Sequence, residues 1–301
     1  MLDTILITTG LVALFGAIEI GYGLHRRPGM LTMRELGTSL VSLGVSFLTR
    51  VALNVTVLLP LGRLWPGSKG ALAGHAAWPF AVLYVLLVDY GFYWVHRKCH
   101  EVPWLWRLHK PHHVSEQLHA AVTYRENWIF NLLLPHAWVA PLMVWLGQPG
   151  AYLVGTAFYT LIALSLHCDL RWDLHLQRNR FLRPFMWVIE RVITLPDVHH
   201  VHHGLGRYGN AMKNYGASLA IFDLLHGTLV IPHARQEGFG LPKGASIEPW
   251  TEQIFWPLVR SKKKESVTEE LSSDGQTPTA SALAMAKAVI YTAEGRTIIV
   301  N

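Results

Sequence analysis

The sequence predicts an all-α integral membrane protein: a helical bundle of four to five transmembrane helices, with a cytoplasmic helical cap holding a dimetal histidine site. Three observations carry this expectation. The 301 residues are 51% apolar and only 15% charged, against about 25% charged in an ordinary soluble domain. Five apolar stretches each approach the ~20 residues that cross ~30 Å of hydrocarbon. Many of the 17 histidines fall into spaced motifs beside the ends of those stretches.

The stretches are 4–24, 39–61, 78–95, 128–146 and 151–169. The first is followed by His25, Arg26, Arg27 and the helix-breaking Pro28. No small-residue cleavage site with a polar start follows it, so it reads as a span rather than a removed signal. The second carries Arg50 and the third Asp89, and each costs roughly 2.5–3.5 kcal/mol at a helix centre on insertion scales. Such groups must face protein or water. Arg26, Arg27 and Arg34 follow the first span, Arg97, Lys98, Arg107 and Lys110 the third, and Arg171, Arg178, Arg180 and Arg183 the fifth. Five crossings put all three segments on one side, which the positive-inside rule makes cytoplasmic. Arg63 and Lys69 lie on the opposite side, beside the uncharged turn at 147–150. The expected organisation is a transmembrane hairpin over 1–75, a histidine-bearing unit over 76–257 and a polar tail over 258–301. That tail opens with Lys262, Lys263 and Lys264 before turning rich in Ser, Thr and Glu.

Several classes are excluded or weakened. A net charge of +6 is modest for a nucleic-acid binder, and no nucleic-acid partner is expected. Two cysteines, Cys99 and Cys168, cannot build a disulfide framework. The run from Gly204 to Gly209 fits GxGxxG but follows a histidine motif, not a strand, so it is no dinucleotide loop. His100-Glu101 is followed by Val-Pro-Trp, which excludes HExxH, and GxSxG is absent. The glycosylation signal at Asn54 lies inside a span and is meaningless there.

The histidines are spaced as His96-x-x-x-His100, His109-x-x-His112-His113 and His199-x-x-His202-His203. Residues three and four apart share a helix face, so each motif offers two or three imidazoles from one stripe. Neutral imidazole suits borderline metals, and several stripes together can enclose more than one ion. Asp89, Tyr93, His96 and His100 are spaced four, three and four apart. Asp89 is therefore expected near the membrane end of the site, accepting a hydrogen bond from a ligating imidazole. His167 closes the fifth span at the same face and is a further ligand candidate. His175 and His200 fit less well, and His119 and His136 read as isolated packing or surface residues. Structural zinc is usually tetrahedral with thiolates, a poor match to eight or nine histidines with two cysteines. A bis-histidine haem would leave most of the motifs unexplained.

Asp89-Tyr-Gly-Phe-Tyr-Trp-Val-His96-Arg, Leu105-Trp-Arg-Leu-His-Lys-Pro-His-His113 and Pro196-Asp-Val-His-His-Val-His-His-Gly204 resemble the fatty acid hydroxylase / sterol desaturase superfamily. So do Lys213-Asn-Tyr-Gly216 and Phe222-Asp-Leu-Leu-His-Gly-Thr228, the resemblance running from Pro79 to Ile231. The stretch from Ser115 to Arg125 looks closest to the alkylglycerol monooxygenase and bacterial sterol-desaturase-like branch. Glu126-Asn127 and His200 depart from patterns common in the superfamily.

The resemblance implies a non-haem centre of two irons held by His96, His100, His109, His112, His113, His167, His199, His202 and His203. Asp89, Asn214 and Asp223 would serve as supporting catalytic or structural groups. It also implies O2 as co-substrate, a membrane lipid as substrate and hydroxylation or desaturation as reaction. Oxidising an unactivated C–H bond needs metal chemistry that side chains alone do not supply. With no cytochrome-b5-like domain recognisable, a separate electron donor of cytochrome b5, ferredoxin or pterin type is expected. The expected location is a bacterial inner membrane or the ER, with the site on the cytoplasmic face. Trp104, Trp106, Trp128 and Trp172 read as interface anchors. Two other classes fit less well. A metal transporter would place ionisable ligands at mid-membrane along a path, and a zinc hydrolase would need Asp89 or Glu126 as general base.

Overall fold

A computed structural model of the chain describes residues 2–26 and 32–261. Residues 262–301 of the expected tail, with the three lysines at 262–264, lie outside the described residues, as do Arg27 and Pro28. The fold is helical, with one two-stranded ribbon.

Helix α1 (Leu2–Gly21) ends in a turn through Gly23, whose φ of 71° suits a residue without Cβ. Helix α2 (Met33–Leu64) starts where Thr32 Oγ1 accepts the Glu35 amide at 3.1 Å, satisfying one of the free N–H groups of its first turn. Helix α3 (Ala77–Glu101) leads directly into α4 (Pro103–His113). Helix α7 (Pro149–His167) returns beside α3, after α5 (Trp128–Leu133) and α6 (Pro135–Trp145). Proline opens α4, α6 and α7, where its missing N–H costs nothing and its fixed φ already suits a helix.

Three helical stretches are long and apolar enough to cross a membrane: Glu35–Leu64, Ala77–Glu101 and Pro149–His167. In α1 the described apolar stretch is Leu6–Gly21, shorter than these. The stretch 128–146, expected as one span, is instead the two helices α5 and α6. Leu134 between them is extended (φ −70°, ψ 123°), because Pro135 disfavours the helical conformation in the residue before it.

Ala81, Tyr84, Val88, Met143 and Ala151 form one buried apolar cluster joining α3, α6 and α7. Gly155 of α7 lies against the ring of Tyr84, where a methyl group would overlap ring carbons. Outward-facing side chains of the long helices remain apolar and exposed, among them Leu48 and Leu59 on α2 and Leu83 and Leu87 on α3. A bilayer is the solvent that such faces match.

After α7 the chain forms short elements: α8 (Trp172–Arg178), α9 (Arg183–Val192), α10 (Pro196–His203), α11 (Ile221–Leu225) and α12 (Trp250–Phe255). Strands β1 (Gly204–Leu205) and β2 (Gly238–Phe239) pair antiparallel, with Gly204 opposite Phe239. Helix α10 packs on the C-terminal end of α7 and α11 on α3. The histidine motifs are thereby brought over the ends of α3 and α7.

Candidate metal centre

All nine histidines expected as ligands converge, and they do so in two groups. His96, His100, His109, His113 and His202 form the first; His112, His167, His199 and His203 form the second. Within each group the candidate ligand nitrogens lie within 4.8 Å of one another. Every member is buried except the half-buried His100.

Each HxxHH motif divides its histidines between the groups, whereas the spacing had suggested one stripe per motif feeding one place. His109 and His113, four residues apart on α4, go to the first group and His112 to the second. On α10, His199 and His203 go to the second and His202 to the first. Four residues return a helix to nearly the same azimuth, while adjacent residues are displaced by about 100°. The middle histidine of each motif, His112 or His202, therefore reaches sideways into the neighbouring group, and α4 and α10 each serve both.

The backbone selects which ring nitrogen faces inward. His96 Nδ1 donates to Tyr215 O (2.7 Å), His202 Nδ1 to Lys213 O (2.8 Å), His112 Nδ1 to Val122 O (3.1 Å) and His167 Nδ1 to Ala163 O (2.8 Å). A ring that donates from Nδ1 keeps its Nε2 lone pair for a metal. The Nε2 atoms of His96, His100, His202 and His203 are buried without a protein partner. His167 Nε2 lies 3.0 Å from both His112 Nε2 and His199 Nε2. Ligand nitrogens about 2.1 Å from one ion and at right angles would be about 3.0 Å apart. Unpartnered buried nitrogens in each group, from an all-imidazole donor set, fit borderline transition ions, iron and zinc included. Burial, then the neighbouring rings, hold His109, His113, His199 and His203 well below the ordinary imidazole range. They therefore stay neutral, the state a metal ligand requires.

Asp89 does not touch an imidazole, contrary to its expected place. Its Oδ1 accepts the Ser218 amide (2.7 Å) and hydroxyl (2.9 Å), and its Oδ2 accepts the Leu219 amide (2.9 Å). Both oxygens are taken by the loop after α10, which competes successfully because it supplies three donors together. Asp223 holds the same loop from the other side, accepting from the Tyr215 amide, the Gly216 amide and the Thr228 hydroxyl at 2.7–2.8 Å. Asn214 adopts φ 57°; its Nδ2 donates to Val198 O and Val230 O, and its Oδ1 accepts the Val230 amide. These three polar residues thus fix the segment whose carbonyls, Lys213 O and Tyr215 O, orient His202 and His96.

The carboxylate that does reach the histidines is Glu126, which the motifs did not single out as a site residue. It lies 3.3 Å from His109 Nδ1 and 3.6 Å from His112 Nδ1, so it touches one member of each group. Burial raises its carboxyl well above the ordinary range. It sits in the loop between α4 and α5, where no periodicity marks it. His200 points away and meets Leu166 O at 2.9 Å, and His175 is exposed. His119 is fully buried, with neither ring nitrogen partnered. Trp106 packs against the site, its ring centre 5.0 Å from that of His100, whereas Trp104 is exposed.

A cavity of about 110 Å³ runs beneath the centre between α2, α3, α6 and α7. His96, His112, His167, His199 and Glu126 line it, together with Phe92, Phe130, Leu134, Ala140 and Ala163. Tyr84 and Thr156 line it further from the histidines. Tyr84 is twelve residues before His96, a rise of about 18 Å along the helix. The cavity is mainly apolar near the histidines, with Arg50, Asn54 and His136 as additional polar lining.

The fatty acid hydroxylase family profile matches residues 81–228, which include every histidine of both groups. The chain is 30% identical to alkylglycerol monooxygenase of Homo sapiens over 141 residues, 47% of this chain and 28% of that protein. Against alkylglycerol monooxygenase of Danio rerio it is 30% identical over 213 residues, 67% of this chain and 42% of that one. Ornithine lipid hydroxylase OlsE of Rhizobium tropici is 26% identical over 265 residues, 83% of this chain and 68% of that protein. This chain spans less than half the length of those two alkylglycerol monooxygenases. No solved structure matches. Through residues 81–228, with their two histidine groups, the chain resembles the fatty acid hydroxylase family.

Proposed function

We propose that the protein is a multi-pass membrane enzyme that hydroxylates a lipid, using O2 and two non-haem irons held by the nine histidines. The observation that carries this reading is the division of nine imidazoles, eight of them buried, into two groups above a mainly apolar cavity. Bound iron would supply the oxidising chemistry that side chains lack. His96, His100, His109, His113 and His202 would hold one ion, and His112, His167, His199 and His203 the other. Hydroxylation is preferred to desaturation because the relatives are named hydroxylases and monooxygenases.

The chain's own residues then have assignable work. Phe92, Phe130 and Leu134 present an apolar wall that aligns an acyl or alkyl chain and keeps water from the reacting carbon. Glu126 orients the ring of His109, lies beside that of His112 and, with its raised carboxyl, can hold a proton between the two groups. Asp89, Asn214 and Asp223 are positioning residues acting through the 213–219 loop. The metal centre lies at the cytoplasmic face, where a separate electron donor reaches it. Residues 76–257 form the catalytic unit and 1–75 an N-terminal membrane hairpin. A transporter is disfavoured because the ligands gather at one end of α3 and α7 and do not follow a transmembrane path.

The test is metal analysis of detergent-purified protein loaded with Fe(II) without oxygen, followed by O2 uptake and product analysis with added reductase and lipids. About two irons per chain and O2-dependent hydroxylated lipid are expected, with both lost in a His112→Ala/His202→Ala variant. Failure to retain iron, or lipid turnover without O2, would overturn the proposal.

A further inference from the structure

The cap carries one surface that is apolar where a water-facing helix should be polar. On α9 and the turn before it, Phe181, Phe185, Val188 and Val192 are 70%, 68%, 54% and 42% exposed. The spacing of three and four places Phe185, Val188 and Val192 on one stripe of α9, and Phe181 is exposed in the turn before it. The opposite side holds Met186 and Glu190, both buried. Nothing in the described chain covers the stripe, and it exceeds the scattered single apolar residues of an ordinary surface.

Two further observations say what covers it. The first is charge. The acids between 171 and 192 are Asp173 and Glu190, and both are buried and hydrogen bonded within the cap. The exposed ionised side chains beside the stripe are Arg178, Arg180 and Arg183. A helix with an aromatic and aliphatic face flanked by arginines matches an anionic lipid surface. The second is continuity. Helix α11 packs on both α9 and α3, and its Leu225 is 70% exposed. Phe222 of α11 meets Tyr90 of α3 at 5.0 Å between ring centres. Tyr90 is itself exposed, one turn beyond Leu86 and Leu87 on the outward face of α3. Exposed apolar residues therefore follow one another from a membrane-length helix through α11 to α9.

We propose that α9 and the end of α11 form a ledge seated in the headgroup layer of the cytoplasmic leaflet, its apolar stripe in the acyl boundary and its arginines on anionic lipid headgroups. This rests on the reading of α3 as a membrane span. The ledge sets how deep the cap sits, and so holds the histidine groups at the boundary between water and acyl chains. An acidic protein partner would satisfy the arginines but not the exposed apolar residues.

The test places a nitroxide label on a Val188→Cys variant of the full chain, native Cys99 and Cys168 being buried. Leu86→Cys on α3 and Lys243→Cys on an exposed loop serve as references. Each protein is reconstituted in phosphatidylcholine vesicles with and without phosphatidylglycerol. Collisions with O2 and with a water-soluble nickel chelate are then measured. At 188 the label should be open to O2 and protected from nickel, as at 86, but at shallower depth. Protection should rise with phosphatidylglycerol, and an added Arg180→Gln/Arg183→Gln pair should abolish that rise. A label at 188 behaving like that at 243, with 86 protected, overturns the ledge alone. If 86 also behaves like 243, the membrane reading of α3 fails and the ledge with it. Protection at 188 that ignores phosphatidylglycerol overturns the assignment of the arginines to anionic lipid.

Discussion

The five-histidine and four-histidine groups are built from the same motifs, yet they are held by different parts of the chain. In the first, His96 and His202 are oriented by carbonyls of the 213–215 segment, a loop far away in sequence and clamped by three polar side chains. In the second, His167 is oriented by its own helix and His112 by Val122, within the loop that follows α4. The groups also face different surroundings. His112, His167 and His199 line the cavity, but His96 alone does so from the first group. The four-histidine group thus offers fewer imidazoles and more contact with the cavity, and an ion held there would be the one nearer a bound lipid. The five-histidine group is the more enclosed partner.

The widest consequence of this difference is selective loss. His203→Ala should empty the second group and His100→Ala the first, each lowering bound iron from about two to one per chain. Both should reduce turnover by at least roughly a hundredfold, nearly 3 kcal/mol on the barrier. Metal analysis beside product formation checks this, and loss of both ions from either variant would mean the groups are one cooperative unit.

Acid should expose the second group's support. His119 lies in the loop carrying Val122 and Glu126, and burial lowers its pKa to about 4. Because the folded value is depressed below about 6.5, its stabilising contribution is complete above pH 6.5 and is lost as pH falls through 4. That amounts to about 3 kcal/mol by pH 4. A His119→Phe variant should lose correspondingly less stability between pH 7 and 4 in detergent unfolding. Equal acid losses in the two proteins would remove His119 from the account.

The clamp should matter mainly to the first group. Asp223→Asn and Asp89→Asn should each weaken iron binding there by about 10–100-fold, the usual scale for groups that support ligands. Chelator competition on the His203→Ala background isolates that site, and the wild-type affinity would show that the loop holds itself. Smallest is Gly155→Ala, where a methyl group meets Tyr84. It should cost about 1 kcal/mol of stability by overpacking and leave both ions bound.

Much of this centre is legible in the sequence, because three- and four-residue spacings translate directly into a shared helical face. His167 is legible too, closing an apolar stretch. The partition into two groups is not, since it depends on how α4 and α10 are rotated about their axes, and only packing fixes that. Asp89 shows the same limit. Its place on α3 is readable, but its partners Ser218 and Leu219 lie about 130 residues away. Glu126 is readable as a carboxylate near the motifs, but its contact with His109 and His112 is not, because a loop residue has no period. The break at Leu134–Pro135 was readable from proline chemistry, but it was masked by the apolarity around it.

The clamp also bears on biosynthesis. His96 leaves the ribosome before α6 and α7, and its orienting carbonyl at Tyr215 is fixed by Asp223 and Thr228 only afterwards. A nascent chain ending between His203 and Thr228 carries all five histidines of the first group but not the complete clamp on the loop that orients two of them. If iron is the metal, tight capture there should follow insertion of the helical bundle, and a chain truncated between His203 and Thr228 should bind it more weakly than the full chain.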